Sequence, residues 1–212
     1  MNSSASFLLT LLLSICGITQ NFAQEQLTTA QIATFKSNVL KESKKVQNIK
    51  TDFVQFKHLS FLSKEIETSG NMLFEAPDLL KWKYTQPYQY SILFNKGKVH
   101  INDQGKQSSF DATNNKMFEK INKLIVGSVS GNMFDDNEFT INYFQNKTHY
   151  IARFKPKSKD LQQVIEEIEL WFPLNDYIVS EVKLNESSGD YTRIVFKNKQ
   201  INAQISRSDF DN

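Results

Sequence analysis

The 212-residue chain has a net charge of +2, and its charged residues, 23% of the total, mix both signs along the sequence. Such a balance lacks the basic patch that a nucleic-acid-binding protein needs, and the length suits one domain with a sizeable core. Aromatic residues make up 12% of the chain, including 17 phenylalanines, which is typical of a β-rich fold with an apolar interior.

The N-terminus has the pattern of a secretory signal. An apolar run over 7–18 is too short to span a bilayer, and Ala23 follows it as a small residue at a cleavage position. The alternative is a buried N-terminal helix, but no helical pattern continues past Gly17. We therefore predict a cleaved signal peptide over 1–23 and an exported chain over 24–212.

Cys16 is the only cysteine, and it lies inside the predicted signal. Lipidation of this cysteine would need a small residue directly before it, whereas the bulky Ile15 stands there. We expect Cys16 to be removed with the signal, so the mature chain offers no disulfide, thiol nucleophile or thiolate ligand. Incorporation of labelled palmitate would instead indicate an anchored protein.

The pattern of elements alternates between long runs of strands and two helical stretches. Thr28 or Thr29 can cap a helix that continues to about residue 48, with an apolar face of Ile32, Phe35, Val39 and Val46. Strands are predicted over 50–59, 65–75, 79–85, 90–94, 98–102 and 107–110. A second helical stripe, within 116–129, consists of Met117, Ile121, Leu124 and Ile125. After it, strands are predicted over 139–145, 149–154, 164–172, 178–185, 191–198 and 201–206, with a polar loop over 155–160.

These elements predict a mainly β (α+β) fold of about ten or eleven strands, covered by helices near 28–48 and 114–129. The connections are too short for parallel crossovers, so the sheet should be antiparallel. A sheet of that many strands curls, and it can then close as a barrel or wrap partway around the helices. No linker, repeat or change of composition divides the chain, which predicts a single domain over 24–212.

Residues that could carry catalysis or hold a metal are not grouped in any known motif. The sequence has no phosphate loop, zinc motif or dinucleotide fingerprint, and its three histidines fall on separate predicted strands. Glu167 and Glu169 share one face of a strand, opposite Ile168 and Leu170, which predicts a solvated strand face. We therefore expect no catalytic residue, no metal and no cofactor, and a binding function rather than an enzyme.

The stretch over 70–98 carries the most specific pattern in the chain. It contains, without a gap, Gly70, Met72, Pro77, Leu79, Trp82, Thr85, Gln86, Pro87, Ser91, Ile92, Leu93, Gly97 and Lys98. Together with Phe53 and Gln55 upstream, this pattern resembles the LolA family of periplasmic lipoprotein carriers. The resemblance is specific over about 49–98, and beyond Ile101 it rests on strand rhythm and length.

The resemblance implies a strongly curved, unclosed antiparallel β-barrel with two or three helices as a lid over its mouth. On the residues alone, the apolar face of these strands is more simply read as plain core. In the family the equivalent face lines a hydrophobic cavity for acyl chains, here Met72, Phe74, Leu80, Trp82, Tyr84, Ile92 and Phe94. The implied lid residues are Met117, Ile121, Leu124 and Ile125.

The resemblance also implies a soluble, monomeric periplasmic shuttle without a cofactor. Its partners would be acylated lipoproteins, an inner-membrane lipoprotein-releasing complex and an outer-membrane acceptor. Two alternatives stay open: a carrier or acceptor for another acylated lipid, and a secreted lipid-modifying enzyme with a polar group inside its cavity. Ala76 replaces the arginine that precedes the motif proline in well-known carriers, which leaves Lys81 or Lys83 as candidates to fasten the lid.

Overall fold

The computed structural model describes residues 24–111, Gly127 and residues 133–211. Its helices are α1 (Thr29–Ser43), α2 (Lys159–Gln162) and a 3₁₀ helix (Arg207–Phe210). Its strands are β1 (Glu25–Gln26), β2 (Asn48–His58), β3 (Ile66–Glu75), β4 (Leu79–Gln86), β5 (Tyr90–Asn95), β6 (Lys98–Asp103), β7 (Lys106–Asp111), β8 (Phe139–Gln145), β9 (His149–Pro156), β10 (Ile165–Pro173), β11 (Glu181–Glu186) and β12 (Tyr191–Ile201).

All twelve strands belong to one antiparallel sheet, in the order β1-β8-β9-β10-β11-β12-β2-β3-β4-β5-β6-β7. The sheet is curved, and because β1 and β7 stand at its two edges it does not close. The predicted antiparallel, unclosed and mainly β fold is therefore confirmed. β12 pairs with β2 and thereby connects β8–β11 to β3–β7 in the sheet. This pairing brings together residues from near the two ends of the chain.

Several element boundaries differ from the prediction. The strand β1 was not predicted, because two residues are too few to show the alternation of apolar and polar side chains that marks a strand. The four-residue α2 occupies part of the predicted polar loop. β12 is continuous from Tyr191 to Ile201, where two separate strands were expected, and β11 begins at Glu181 rather than at 178. The predicted helix within 116–129 lies outside the described residues except for Gly127, which is helical and buried.

Helix α1 begins at a capping box and ends in a turn that leads to β2. Thr28 forms a capping box with Gln31: the Gln31 N–H donates to Thr28 Oγ1 at 3.4 Å, and the Thr28 N–H donates to Gln31 Oε1 at 2.8 Å. The helix ends at Ser43, earlier than predicted, because the N–H groups of Lys45 and Val46 donate to carbonyl oxygens three residues back instead of four. Val46 is nevertheless buried, and Asn202 Oδ1 accepts the N–H of Gln47 at 2.7 Å in the same turn.

The described residues form two buried apolar clusters against the sheet. The first, which we call the helix cluster, packs the α1 residues Phe35 and Val39 against β8, β9 and β10. The second, the meander cluster, is built by β2, β3 and β4, with Phe53, Phe74 and Leu80 among its most buried side chains. The helix thus covers the half of the concave face that β8–β10 form and leaves the half formed by β2–β5 free of it.

Candidate functional site

The registers of β3, β4 and β5 align predicted cavity residues in rows across these three strands. Leu80 on β4 lies opposite Phe74 on β3 and opposite Phe94 on β5. In the next row, Trp82 lies opposite Met72 and Ile92. Residues that are directly opposite on antiparallel strands share a face of the sheet, so these side chains point to the same, concave side.

An apolar cavity of about 350 Å³ lies against this face. Its wall is formed by β2–β5 on one side and by β10–β12, with the segment before β11, on the other. Six of the seven predicted residues line it; the exception is Phe74, which is buried in the meander cluster beside it. That these residues bind a ligand stays a prediction.

The wall contributed by β10–β12 was not predicted as part of the site. Ile168 and Leu170 on β10, Val182 on β11 and Ile194 and Phe196 on β12 all line the cavity. The alternation of apolar residues in these strands does indicate that each has one buried face. It does not indicate that β12 pairs with β2, and this pairing brings β10–β12 around to face β4 and β5.

Aromatic rings pack against one another in the wall and directly behind it. The ring of Phe53 lies 4.4 Å from that of Trp82 and 5.2 Å from that of Tyr84, and Trp82 meets Phe196 edge-on at 5.9 Å. The Tyr84 hydroxyl donates to Gln55 Oε1 at 3.0 Å, and burial raises the pKa of this phenol. Tyr84 therefore stays neutral at physiological pH and presents an apolar ring to the cavity.

One charged side chain lines the cavity, as far as the structure describes its wall. The Lys199 ammonium donates to Asp176 Oδ2 at 2.5 Å and to the carbonyl oxygen of Ile178 at 3.2 Å. About 16% of the Lys199 side chain and 36% of the Asp176 side chain are exposed. The ion pair therefore lies where the apolar wall meets solvent.

Lys81 fastens the C-terminal segment and does not face the cavity. It alternates with Leu80 and Trp82, so it projects from the convex face, where its ammonium donates to the backbone carbonyl oxygens of Asp209 (3.2 Å) and Asp211. Burial, and next the Lys83 ammonium, lower the pKa of Lys81. The contacts of Lys81 within the described residues therefore do not support the hypothesis that it fastens the lid in place of the family arginine.

The glutamates of β10 also face away from the cavity, but the prediction of a solvated face is wrong for Glu169. This residue is only 7% exposed, because Trp171 Nε1 donates to it at 3.2 Å, Asn185 Nδ2 donates at 3.3 Å and the Arg153 guanidinium lies at 3.9 Å. Burial raises the pKa of its neighbour Glu167. These carboxylates form a polar layer on the convex face, separated from the cavity by the sheet.

Neither a metal site nor a membrane-spanning helix is found in the part of the chain that the structure describes. Over 24–111 and 133–211, no three His, Cys, Asp or Glu side chains stand close enough to hold a metal ion. In the same part of the chain no helix is both long and apolar enough to cross a bilayer. The predicted lid residues Met117, Ile121, Leu124 and Ile125 lie outside the described residues.

The sequence of the chain is similar to those of known proteins. The family model described as "Outer membrane lipoprotein carrier protein LolA" matches residues 44–212. An outer-membrane lipoprotein carrier protein of Francisella tularensis subsp. novicida is 23% identical over 175 residues, which are 82% of each chain. One of Azotobacter vinelandii is 25% identical over 146 residues, which are 68% of this chain and 67% of the relative.

Among solved structures, the complex of Pseudomonas aeruginosa MucA/MucB contains a chain of similar fold. The TM-score is 0.50 at 11% identity, and the match covers 85% of this chain and 61% of the other. At that identity the likeness concerns the fold alone. The family model, however, matches well over half of the chain and includes every strand that lines the cavity. The chain therefore belongs to the LolA family of outer-membrane lipoprotein carrier proteins.

Proposed function

We propose that this protein binds the acyl chains of lipoproteins in the cavity between β2–β5 and β10–β12 and carries them from the inner to the outer membrane. The observation that carries the proposal is the wall of the cavity. Among the described residues it is aliphatic and aromatic on both sides apart from Thr51 and Thr192, and it has one ion pair at its edge. A volume of about 350 Å³ falls within the range of small-molecule sites, roughly 300–1,000 Å³.

The free energy of acyl-chain burial explains why such a carrier needs no nucleotide to bind its cargo. Each buried CH₂ contributes ~0.8 kcal/mol, so one long chain contributes on the order of 10 kcal/mol. A dry, rigid pocket would then release its cargo very slowly. A shuttle therefore needs an apolar lid that occupies the empty cavity and is displaced by cargo, a role we propose for Met117, Ile121, Leu124 and Ile125.

The wider function follows from this exchange. We propose a soluble, monomeric protein that acts in the periplasm as one domain over 24–212, after removal of residues 1–23. An inner-membrane lipoprotein-releasing complex would load it, and an outer-membrane acceptor would receive the cargo. Native mass spectrometry of the protein purified from its own periplasm tests this directly, because the mass of the bound lipid identifies the cargo. A lipid other than a lipoprotein would contradict the proposed cargo.

Ile92→Glu is expected to lower the affinity for an acyl ligand by about tenfold or more. Ile92 lines the cavity opposite Trp82, and a carboxylate at this point would lose its water when an acyl chain covers it. The measurement is displacement of a fluorescent fatty acid by a triacylated lipopeptide, with the wild type and the variant titrated side by side.

Leu93→Glu is the matched control, since Leu93 is the next residue on β5 and faces the convex side. It lies between Lys81 and His100, which tolerate a carboxylate, so this variant should keep the wild-type affinity. Thermal unfolding of both variants separates lost binding from lost fold. Equal affinity of the two folded variants would show that the cavity does not hold the ligand.

A further inference from the structure

A β-bulge interrupts β12 beside the cavity. Between the pair Lys197 with Asp52 and the pair Gln200 with Lys50, β12 has one residue more than β2. Within this bulge Asn198 has a φ of +54°, a left-handed conformation that asparagine adopts more readily than most residues. A bulge of this kind changes which side of the sheet the following side chains face.

The contacts of Asn198 show the change of side. Regular alternation after Phe196 would point Asn198 toward the cavity, yet its amide donates to Asp52 Oδ2 at 2.8 Å on the convex face. Asp52 also accepts from Asn71 Nδ2 at 2.8 Å, and these two hydrogen bonds, that of Asn198 first, lower the pKa of Asp52. The next residue, Lys199, is thereby turned to the cavity side, where Phe196 already lies.

The ammonium of Lys199 can donate a further hydrogen bond to a ligand. An ammonium has three N–H donors. In Lys199 two of them serve Asp176 Oδ2 and the Ile178 carbonyl oxygen, and both acceptors belong to the segment before β11, which leaves the third donor for a ligand. The cavity that Lys199 lines is otherwise apolar over most of its wall, with Ile178, Ile49 and Leu80 among the lining residues. Since only about 16% of the Lys199 side chain is exposed, a polar oxygen that an acyl ligand brings to this edge would meet a cation that is largely shielded from solvent.

We propose that Lys199, oriented by Asp176, binds the carbonyl or carboxylate oxygen of the acyl ligand and holds its polar end at the edge of the cavity. The hydrocarbon chain then runs along the apolar strip of β12, past Phe196 and Ile194, toward Thr192. This inference rests on the proposed function and adds to it the residue that sets the orientation of the ligand. The geometry suits any acyl group, whether it belongs to a lipoprotein or to a free fatty acid.

The test compares Lys199→Met with Lys197→Met, two lysines of one strand of which only the first lines the cavity. Three probes are titrated: a triacylated lipopeptide, oleate, and diphenylhexatriene, a hydrocarbon without a polar end. We expect Lys199→Met to lose about tenfold in affinity for at least one of the two acyl probes, since a charged hydrogen bond is removed. Its affinity for diphenylhexatriene should not change, and Lys197→Met should match the wild type throughout.

A second variant keeps the inference testable if Lys199→Met folds poorly. Asp176→Asn removes the carboxylate that neutralises Lys199, so the affinity for oleate should rise several-fold while that for diphenylhexatriene stays constant. An acyl affinity that neither variant changes, in a wild type that binds acyl probes, would show that the ion pair is only structural. Wild-type protein that binds no acyl probe would contradict the proposed function itself, so the two failures are distinguishable.

Discussion

Phe35→Ala is expected to lower the free energy of unfolding by about 3–5 kcal/mol, the cost of removing a large side chain from a packed core. Phe35 is 1% exposed and packs α1 against the sheet in the helix cluster. Its ring is surrounded by four others at centroid distances of 5.0 to 6.1 Å, namely Tyr150, Phe172, Phe134 and Tyr143. Urea unfolding followed by circular dichroism measures the change.

Leu40→Ala provides the comparison on the same helix. Leu40 is 37% exposed, so its truncation removes little buried area and should cost less than about 1 kcal/mol. Phe35 does not line the cavity, and the folded fraction of its variant should bind acyl ligands normally. Similar losses from the two substitutions would mean that α1 does not anchor the helix cluster.

Gly70→Ala is expected to destabilise the protein by about 3 kcal/mol or more, because the new methyl group has no room. A Cβ on residue 70 would lie 1.9 Å from the carbonyl oxygen of Lys83 and 2.8 Å from Cα of Tyr84. Both are backbone atoms of the neighbouring strand, so relief would require β3 and β4 to separate. The same position carries a shift in the register between these strands, after Ser69. Urea unfolding measures this loss too.

Gly189→Ala isolates the part of the effect that comes from the backbone. Gly189 has a φ of +88°, and no atom lies within 4 Å of the position that a methyl group on its Cα would take. Alanine there should therefore cost about 1 kcal/mol from left-handed strain alone. If Gly70→Ala cost no more than this control, the close approach of β3 and β4 would not be essential to the sheet.

The meander over β2–β6 was predictable because each strand shows the period of two along its own residues. The predicted and observed boundaries of these strands agree to within two residues. The alternation of side chains along each strand also places Met72, Trp82 and Ile92 on one face, where they form a row. β1 is different, since only its long-range pairing with β8 makes it a strand. The polar run from Lys197 to Gln200 ended a predicted strand, although the bulge at Asn198 carries β12 through it.

The candidate site was only half predictable for a related reason. Residues on β3–β5 are close in sequence, so their shared face could be recognised from spacing. The opposite wall needs β12 beside β2, and no local pattern encodes a contact between Phe53 and Phe196. Phe74 shows a second reason why the site could not be fully predicted. The alternation along β3 places its side chain on the concave face, but the packing of its neighbours buries it beside the cavity rather than in the wall.

The helix cluster has a consequence for the order in which the chain folds. α1 is among the first elements to be synthesised, yet Phe35 and Val39 pack on β8, β9 and β10, which follow about a hundred residues later. The meander β2–β7 between them is made of sequential hairpins and can form earlier. The apolar side of α1 therefore stays uncovered until the second half of the chain emerges, and during that interval the nascent protein needs protection from aggregation.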